Sequence, residues 1–200
     1  SDFERFSFRV NMDNDINKWL TTGLRASVAR TKQTNSVDGS GAIYNALNQL
    51  PEVPARNPDG SFGMQTENMY GTYFSNPLSD LIQNENYSRS TQVYVNAFAD
   101  IKLWKGLVFR TEYAANYNYN TGYRFTPSYD YEFFKQQSSA SRSAGNGSNW
   151  TLKTYLTYNG TFGKHNVSVM AGHEAQENNW ESLDGSRTNF LFNSVHELNA

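Results

Sequence analysis

The chain has 200 residues, 38% apolar, 15% aromatic and 18% charged, with 17 Lys and Arg against 19 Asp and Glu and no cysteine. The net charge of −2 excludes a strongly basic nucleic-acid binder, and the absence of cysteine excludes disulfide scaffolds and thiolate metal or redox sites. No apolar run approaches the ~20 residues of a membrane-crossing helix, yet 30 aromatics stand beside 24 asparagines, as if strands showed an aromatic face to one medium and an amide face to another.

Taken in chain order, six runs alternate with a period of two residues, the signature of strands. In the first, about 2–12, Phe6, Phe8, Val10 and Met12 alternate with Arg5, Ser7, Arg9 and Asn11. The second, about 19–31, sets Leu20, Leu24, Ala26 and Val28 against Thr21, Arg25, Ser27 and Thr31. In the third, 91–102, Val93, Val95, Ala97, Ala99 and Ile101 share one face. The fourth, 107–120, sets Leu107, Phe109, Tyr113, Ala115, Tyr117 and Tyr119 against Arg110, Glu112, Asn116, Asn118 and Asn120. The fifth, 150–162, sets Trp150, Leu152, Leu156 and Tyr158 against Thr151, Lys153 and Thr157, and the sixth, about 166–176, carries Val167, Val169 and Ala171. No run has a helical period.

Soluble strands average ~5–6 residues, whereas strands that cross a bilayer need ~9–11, the range of most of these runs. The connections also alternate. A few polar residues separate strands one and two, three and four, five and six, while long loops are expected at 32–90, 121–149 and 177–200. Short turns at one end and long loops at the other are the pattern of an outer-membrane barrel. Trp19, Trp104, Tyr117, Tyr119, Trp150 and Phe162 fall near strand ends, where an interfacial girdle belongs. The expected fold is all-β, an antiparallel transmembrane β-barrel segment with short periplasmic turns and long extracellular loops. Six strands do not close such a barrel, whose smallest single-chain form has ~8. The segment therefore implies more strands, from a larger protein or from other copies of the chain, and little stability alone.

The long loops carry local signals. Ile43, Ala46, Leu47 and Leu50 keep helical spacing up to Pro51; Asn57-Pro58-Asp59-Gly60 reads as a turn; Asn76-Pro77 reads as an N-cap and first helical residue. Tyr70, Tyr73, Phe74, Tyr123, Tyr129 and Tyr131 are candidate loop aromatics for stacking on a sugar ring or peptide, although such rings equally pack against neighbouring loops. The run 138–148, rich in Ser and Gly, reads as low-complexity and mobile. On the polar strand faces, Arg5, Arg9, Arg25, Arg110, Glu112, Asn116, Asn118 and Lys153 would line a wet lumen.

Nothing argues for an enzyme. Asp13-Asn14-Asp15 begins like a calcium loop but has Lys18 for the required Gly and Leu24 for the closing Glu. His165, His173 and His196 lack ligand spacing, and no nucleophile elbow, phosphate loop or dinucleotide fingerprint is present. No metal, no cofactor and no nucleic-acid partner are expected.

Several segments resemble a known family. Arg9-Val10-Asn11-Met12-Asp13-Asn14-Asp15-Ile16-Asn17-Lys18-Trp19-Leu20 resembles the R-x-N-x-D-x-x-I-x-K-x-L hairpin of SusC/RagA-type TonB-dependent transporters of the Bacteroidetes. The run Ala46 to Pro51, with Asn57-Pro58-Asp59-Gly60-Ser61-Phe62 and Asn76-Pro77-Leu78, is similar to an external loop of that family. Leu103 to Arg110 and Tyr155 to His165 are similar to its "i-x-k-G-L-x-f-r" and "l-x-Y-x-x-t-f-x-k-H" turns. The resemblance implies a 22-stranded barrel in the Gram-negative outer membrane, working with a plug domain, TonB and a SusD-like surface lipoprotein to import oligosaccharides or peptides. Neither plug nor TonB box shows in these 200 residues. Two rival readings remain open from the residues alone: a soluble all-β carbohydrate-binding module, and a porin-like barrel without TonB coupling.

Overall fold

A computed structural model describes residues 2–34, 39–65, 75–131, 134–194 and 197–199. Six long strands form one antiparallel sheet in the order β1-β2-β3-β4-β7-β8. They are β1 (Asp2–Asp15), β2 (Leu20–Thr34), β3 (Glu85–Trp104), β4 (Leu107–Thr126), β7 (Ser139–Phe162) and β8 (His165–Thr188). A small hairpin, β5 (Tyr129–Tyr131) and β6 (Phe134–Gln136), interrupts the connection between β4 and β7, and two helices, α1 (Gly39–Asn48) and α2 (Pro77–Gln83), lie between β2 and β3. The sheet is a simple meander in which each strand pairs with its sequence neighbour, and β1 and β8 are each paired on one side only.

The three short connections are tight because their residues suit them. Asn17 Oδ1 accepts from the amides of Trp19 and Leu20, both at 2.9 Å, and so rounds the first reversal. The other two place Gly106 at φ +81° and Gly163 at φ +62°, a left-handed conformation that glycine adopts without a Cβ penalty. In the long connection, α1 and α2 follow the expected signals. Asn76 caps α2 by accepting from Leu78 and Ser79, and donates from its Nδ2 to the carbonyls of Gly63 and Ala55. Asn57 accepts from the Gly60 amide at 2.9 Å, closing the expected turn. The hydroxyl and amide of Ser61 both donate to Asp59 and hold that carboxyl below its ordinary range.

The strands run well past their expected ends. β3 and β4 have 20 residues each, and β7 and β8 have 24, so the expected 121–149 loop shrinks to 127–138. The run 138–148, read above as low-complexity and mobile, is almost wholly the first half of β7, in continuous register with β4 and β8. Its polarity hid it, because a strand with polar side chains on both faces has no period-two signal. Two aromatic rings pack over strand glycines, Trp180 over this run and Phe98 over β2. A Cβ on Gly147 or Gly145 would meet the Trp180 ring at 2.6 and 3.0 Å, and one on Gly23 would meet the Phe98 ring at 2.1 Å. Beyond β8, Asn189 turns the chain at φ 61°. Its amide donates to the Ser138 carbonyl at 2.9 Å. Phe190 then packs edge-on against Phe125, in a buried cluster with Tyr123 and Ala140.

One geometric feature fixes how the sheet lies. In β1 the apolar outward residues Phe6 to Met12 centre on residue 9; in β8 those from Val167 to Ala175 centre on residue 171. Register carries Arg9 through Ser27, Tyr94, Asn116 and Asn149 to Asn178. The apolar band therefore slides about seven residues, roughly 23 Å at ~3.3 Å each, across five spacings of ~4.8 Å, roughly 24 Å. A horizontal band then requires strands tilted by about 44°, within the ~35–45° of transmembrane barrels.

The two tight glycines differ in a testable way. A Cβ on Gly106 would lie 2.1 Å from the Asn159 carbonyl oxygen, whereas one on Gly163 meets nothing within 4 Å. In urea unfolding of the full-length protein, Gly163→Ala should cost only the ~1–2 kcal/mol of a left-handed residue. Gly106→Ala should cost clearly more; equal losses would contradict the packing described.

Candidate functional site

Register places every polar residue singled out on the strands on one face of the sheet. Arg5 opposes Thr31 and Arg9 opposes Ser27; Arg25 opposes Asn96; Glu112 opposes Lys153; Asn116 opposes Asn149; Asn118 opposes Gly147. In a directly opposed antiparallel pair both side chains leave on the same side, so these residues and Arg110 share one surface. The apolar band occupies the other.

The polar face is zoned along the strands. Near the short turns, two adjacent rows gather the charges: Asp15, Asp100 and Arg110 in one, and Asp13, Glu112, Lys153 and Glu174 in the next. Each cation there has a carboxylate. Arg25 contacts Asp13 at 3.0 Å, Arg110 contacts Asp100 at 3.3 Å and Glu112 at 3.6 Å, and Lys153 contacts Glu174 at 3.5 Å. Phe98 lies among them, with the Arg110 guanidinium 4.2 Å and the Arg25 guanidinium 5.1 Å from its ring centre. That ring occupies the space above Gly23, so the glycine lets the aromatic lie flat and the flat aromatic receives both cations. Asn96 Nδ2 donates to Glu112 at 2.7 Å. Every cation named here has a carboxylate partner, while the carboxylates, Asp15 among them, outnumber the cations, so the zone keeps a negative balance.

Further along the strands the charges give way to amides. Asn116, Asn149 and Asn178 oppose one another in one row with Arg9 and Tyr94, and Gln92 and Asn118 lie in the next with Trp180. A cavity of about 230 Å³ is lined by Asn118, Asn149, Asn178 and Trp180, and one of about 320 Å³ by Arg9, Arg25 and Tyr94. The Asn118 Oδ1 is buried without a hydrogen-bond partner among the described residues. Amides beside exposed aromatic faces can hydrogen-bond and stack on a polar solute. Trp180 and Tyr94 were missed in the sequence: Trp180 fell in an expected loop, and Tyr94 stands among polar residues in a strand judged by its valines.

Of the candidate loop aromatics, the two whose side chains are described, Tyr123 and Tyr129, are buried. Tyr123 is buried on the apolar face, its ring 5.1 Å from that of Tyr87. Tyr129 is buried with its hydroxyl 3.1 Å from that of Ser79. For these two the packing alternative holds: Tyr123 is enclosed with Phe125, Ala140 and Phe190, and Tyr129 lies against α2. Tyr70, Tyr73 and Phe74 lie outside the described residues, as does the side chain of Tyr131. No group of three His, Asp or Glu able to hold a metal occurs among the described residues.

Comparison with known proteins follows the same lines. No family model matches the chain. It is 26% identical over 207 residues to TonB-dependent receptor P3 of Formosa agariphila, covering 100% of this chain and 20% of the receptor. It is 25% identical over 187 residues to receptor P26 of the same organism, covering 92% and 18%. The chain thus spans about one fifth of the length of the curated relatives it matches. Among solved structures it is similar to the RagAB peptide importer in its open-open state, with a TM-score of 0.75, 19% identity, and coverage of 98% of this chain and 22% of that one. The RagAB peptide transporter gives a TM-score of 0.73 at 20% identity, with 98% and 23% covered.

The guanidinium pair on Phe98 should couple energetically. A double-mutant cycle of Phe98→Leu and Arg110→Ala in the full-length protein should give about 0.5–1 kcal/mol of interaction energy. Simple additivity would mean that the contact contributes nothing.

Proposed function

The chain has the fold of a SusC/RagA-type barrel segment and is related along its length to TonB-dependent receptors; from that premise we propose that it forms part of the wall of an outer-membrane importer. Its apolar band faces lipid and its amide and charged rows face the lumen. The short turns 16–19, 105–106 and 163–164 lie at the periplasmic end, and the connections bearing α1, α2 and the β5–β6 hairpin face outward. The observation that carries this reading is the apolar band, oblique to the strand rows by the angle that a membrane barrel requires. A soluble sandwich needs apolar residues only where a second layer covers them, and among the described residues no second layer covers this band: Phe6 is 73% exposed, Phe8 68% and Val169 56%.

The importer takes up oligosaccharides or peptides, with TonB supplying energy through parts of the protein outside this segment and a SusD-like surface lipoprotein closing the outer side. One feature supports a large polar cargo over a small ion: the amide rows with Tyr94 and Trp180 suit multiple weak hydrogen bonds and stacking. This is a transport role, with no catalytic residue and no cofactor.

In-frame deletion of the gene in its host tests the assignment. Growth on oligomers of one class, sugar or peptide, should be lost, while growth on the matching monosaccharides or free amino acids is kept. Undiminished growth on every oligomer would contradict the proposal.

A further inference from the structure

The outward face holds a second feature, which rests on the membrane reading above. Where the apolar band ends on β2 and β3, after Val28 and Val93, the outward side chains that follow are Arg30 and Lys32 on β2 and, past Thr91, Arg89 on β3, the three cations all exposed. Lys32 and Arg89 are directly opposed across the two strands, a like-charge juxtaposition that costs stability in an antiparallel pair. Arg30 stands two residues from Lys32 on the same face. These cations contrast with those of the charged rows near the short turns. Arg25, Arg110 and Lys153 each have a carboxylate, whereas none of Arg30, Lys32 and Arg89 has an ion pair among the described residues. The Arg89 guanidinium instead lies 5.4 Å from the Tyr87 ring centre. A groove of about 280 Å³ is lined by all three, by Phe6 at the band's edge and by Glu4, the one carboxylate present. Glu4 opposes Lys32, which leaves an excess of two positive charges.

We infer that Arg30, Lys32 and Arg89 form a binding site for the phosphorylated headgroup of an outer-leaflet glycolipid, whose acyl chains lie on the band formed by Phe6, Phe8, Val28 and Val93. Two features point to an anionic amphiphile rather than a free anion. The cations sit at the edge of an apolar surface facing hydrocarbon, and they lie at the end that carries the long connections. A basic cluster at a membrane boundary attracts anionic headgroups, each Lys or Arg adding to the attraction. A bound phosphate also relieves the repulsion between Lys32 and Arg89.

The test uses the full-length protein in lipid nanodiscs containing phosphorylated glycolipid extracted from the host's outer membrane, or the same lipid after phosphatase treatment. Glycolipid retained per protein is read by native mass spectrometry. The wild type should retain the phosphorylated form at least about tenfold more strongly than the dephosphorylated one, and the preference should weaken as salt rises. The triple substitution Arg30→Gln, Lys32→Gln, Arg89→Gln should abolish that preference while leaving retention of dephosphorylated lipid unchanged. No phosphate preference in the wild type would overturn the site, as would an unchanged preference in the variant; the wild-type comparison stands even if the variant fails to fold. Failure of the wild-type protein to enter nanodiscs at all would instead overturn the barrel reading on which the site depends.

Discussion

The constraint on which the structure depends is that a backbone in hydrocarbon has no water to bond. Each unsatisfied N–H or C=O there costs several kcal/mol, so a spanning sheet must pair every group across strands. This explains why the four central strands are paired without a break on both sides, with only one irregularity, between Lys102 and Trp104 beside a turn. It also explains why β1 and β8 cannot end the sheet. Each presents an open ladder along residues whose outward side chains are apolar, so in a membrane both edges must meet further strands.

With the backbone satisfied in this way, the side chains divide the work. The outward face repels water over one oblique band and then changes abruptly to Arg30, Lys32 and Arg89. The inner face holds charges near the short turns, where carboxylates and guanidinium groups neutralise one another around Phe98, and amides further along. The inner face uses one packing device twice. Where a large ring lies flat against the wall, as Phe98 does over Gly23 and Trp180 over Gly145 and Gly147, the strand beneath it has no Cβ. These glycines are part of the packing of the wall and are not breaks in the strands.

Legibility in the sequence followed the medium. Between Leu107 and Tyr119 one face meets lipid and the other water, so alternation is strong, and strand identity, facing and pairing all followed from it. The helix signals at Ala46 to Leu50 and at Asn76-Pro77 were equally plain, because capping and proline chemistry are local. Beyond about residue 120 the period vanished although the strands continue. In 139–149 both faces are polar, and pairing alone keeps the chain extended; no composition rule separates such a strand from a Ser-Gly loop. The polar strand residues were legible as a face, but the zoning into charged and amide rows required the register between strands distant in sequence. The ring stacked on two guanidinium groups came from Phe98, an apolar residue on a polar face.

Because the chain contains no cysteine, a scan of single cysteines from 109 to 126 in the full-length protein meets no native thiol in this segment. Spin labels at those positions, in outer-membrane vesicles, report collision with oxygen, which concentrates in lipid. Accessibility to oxygen should peak at 109, 111, 113, 115, 117 and 119, fall at the even positions between them, and lose its maxima from 121 onward. A profile without a two-residue period, or one whose maxima persist undiminished to 125, would contradict the placement of this sheet in a membrane wall.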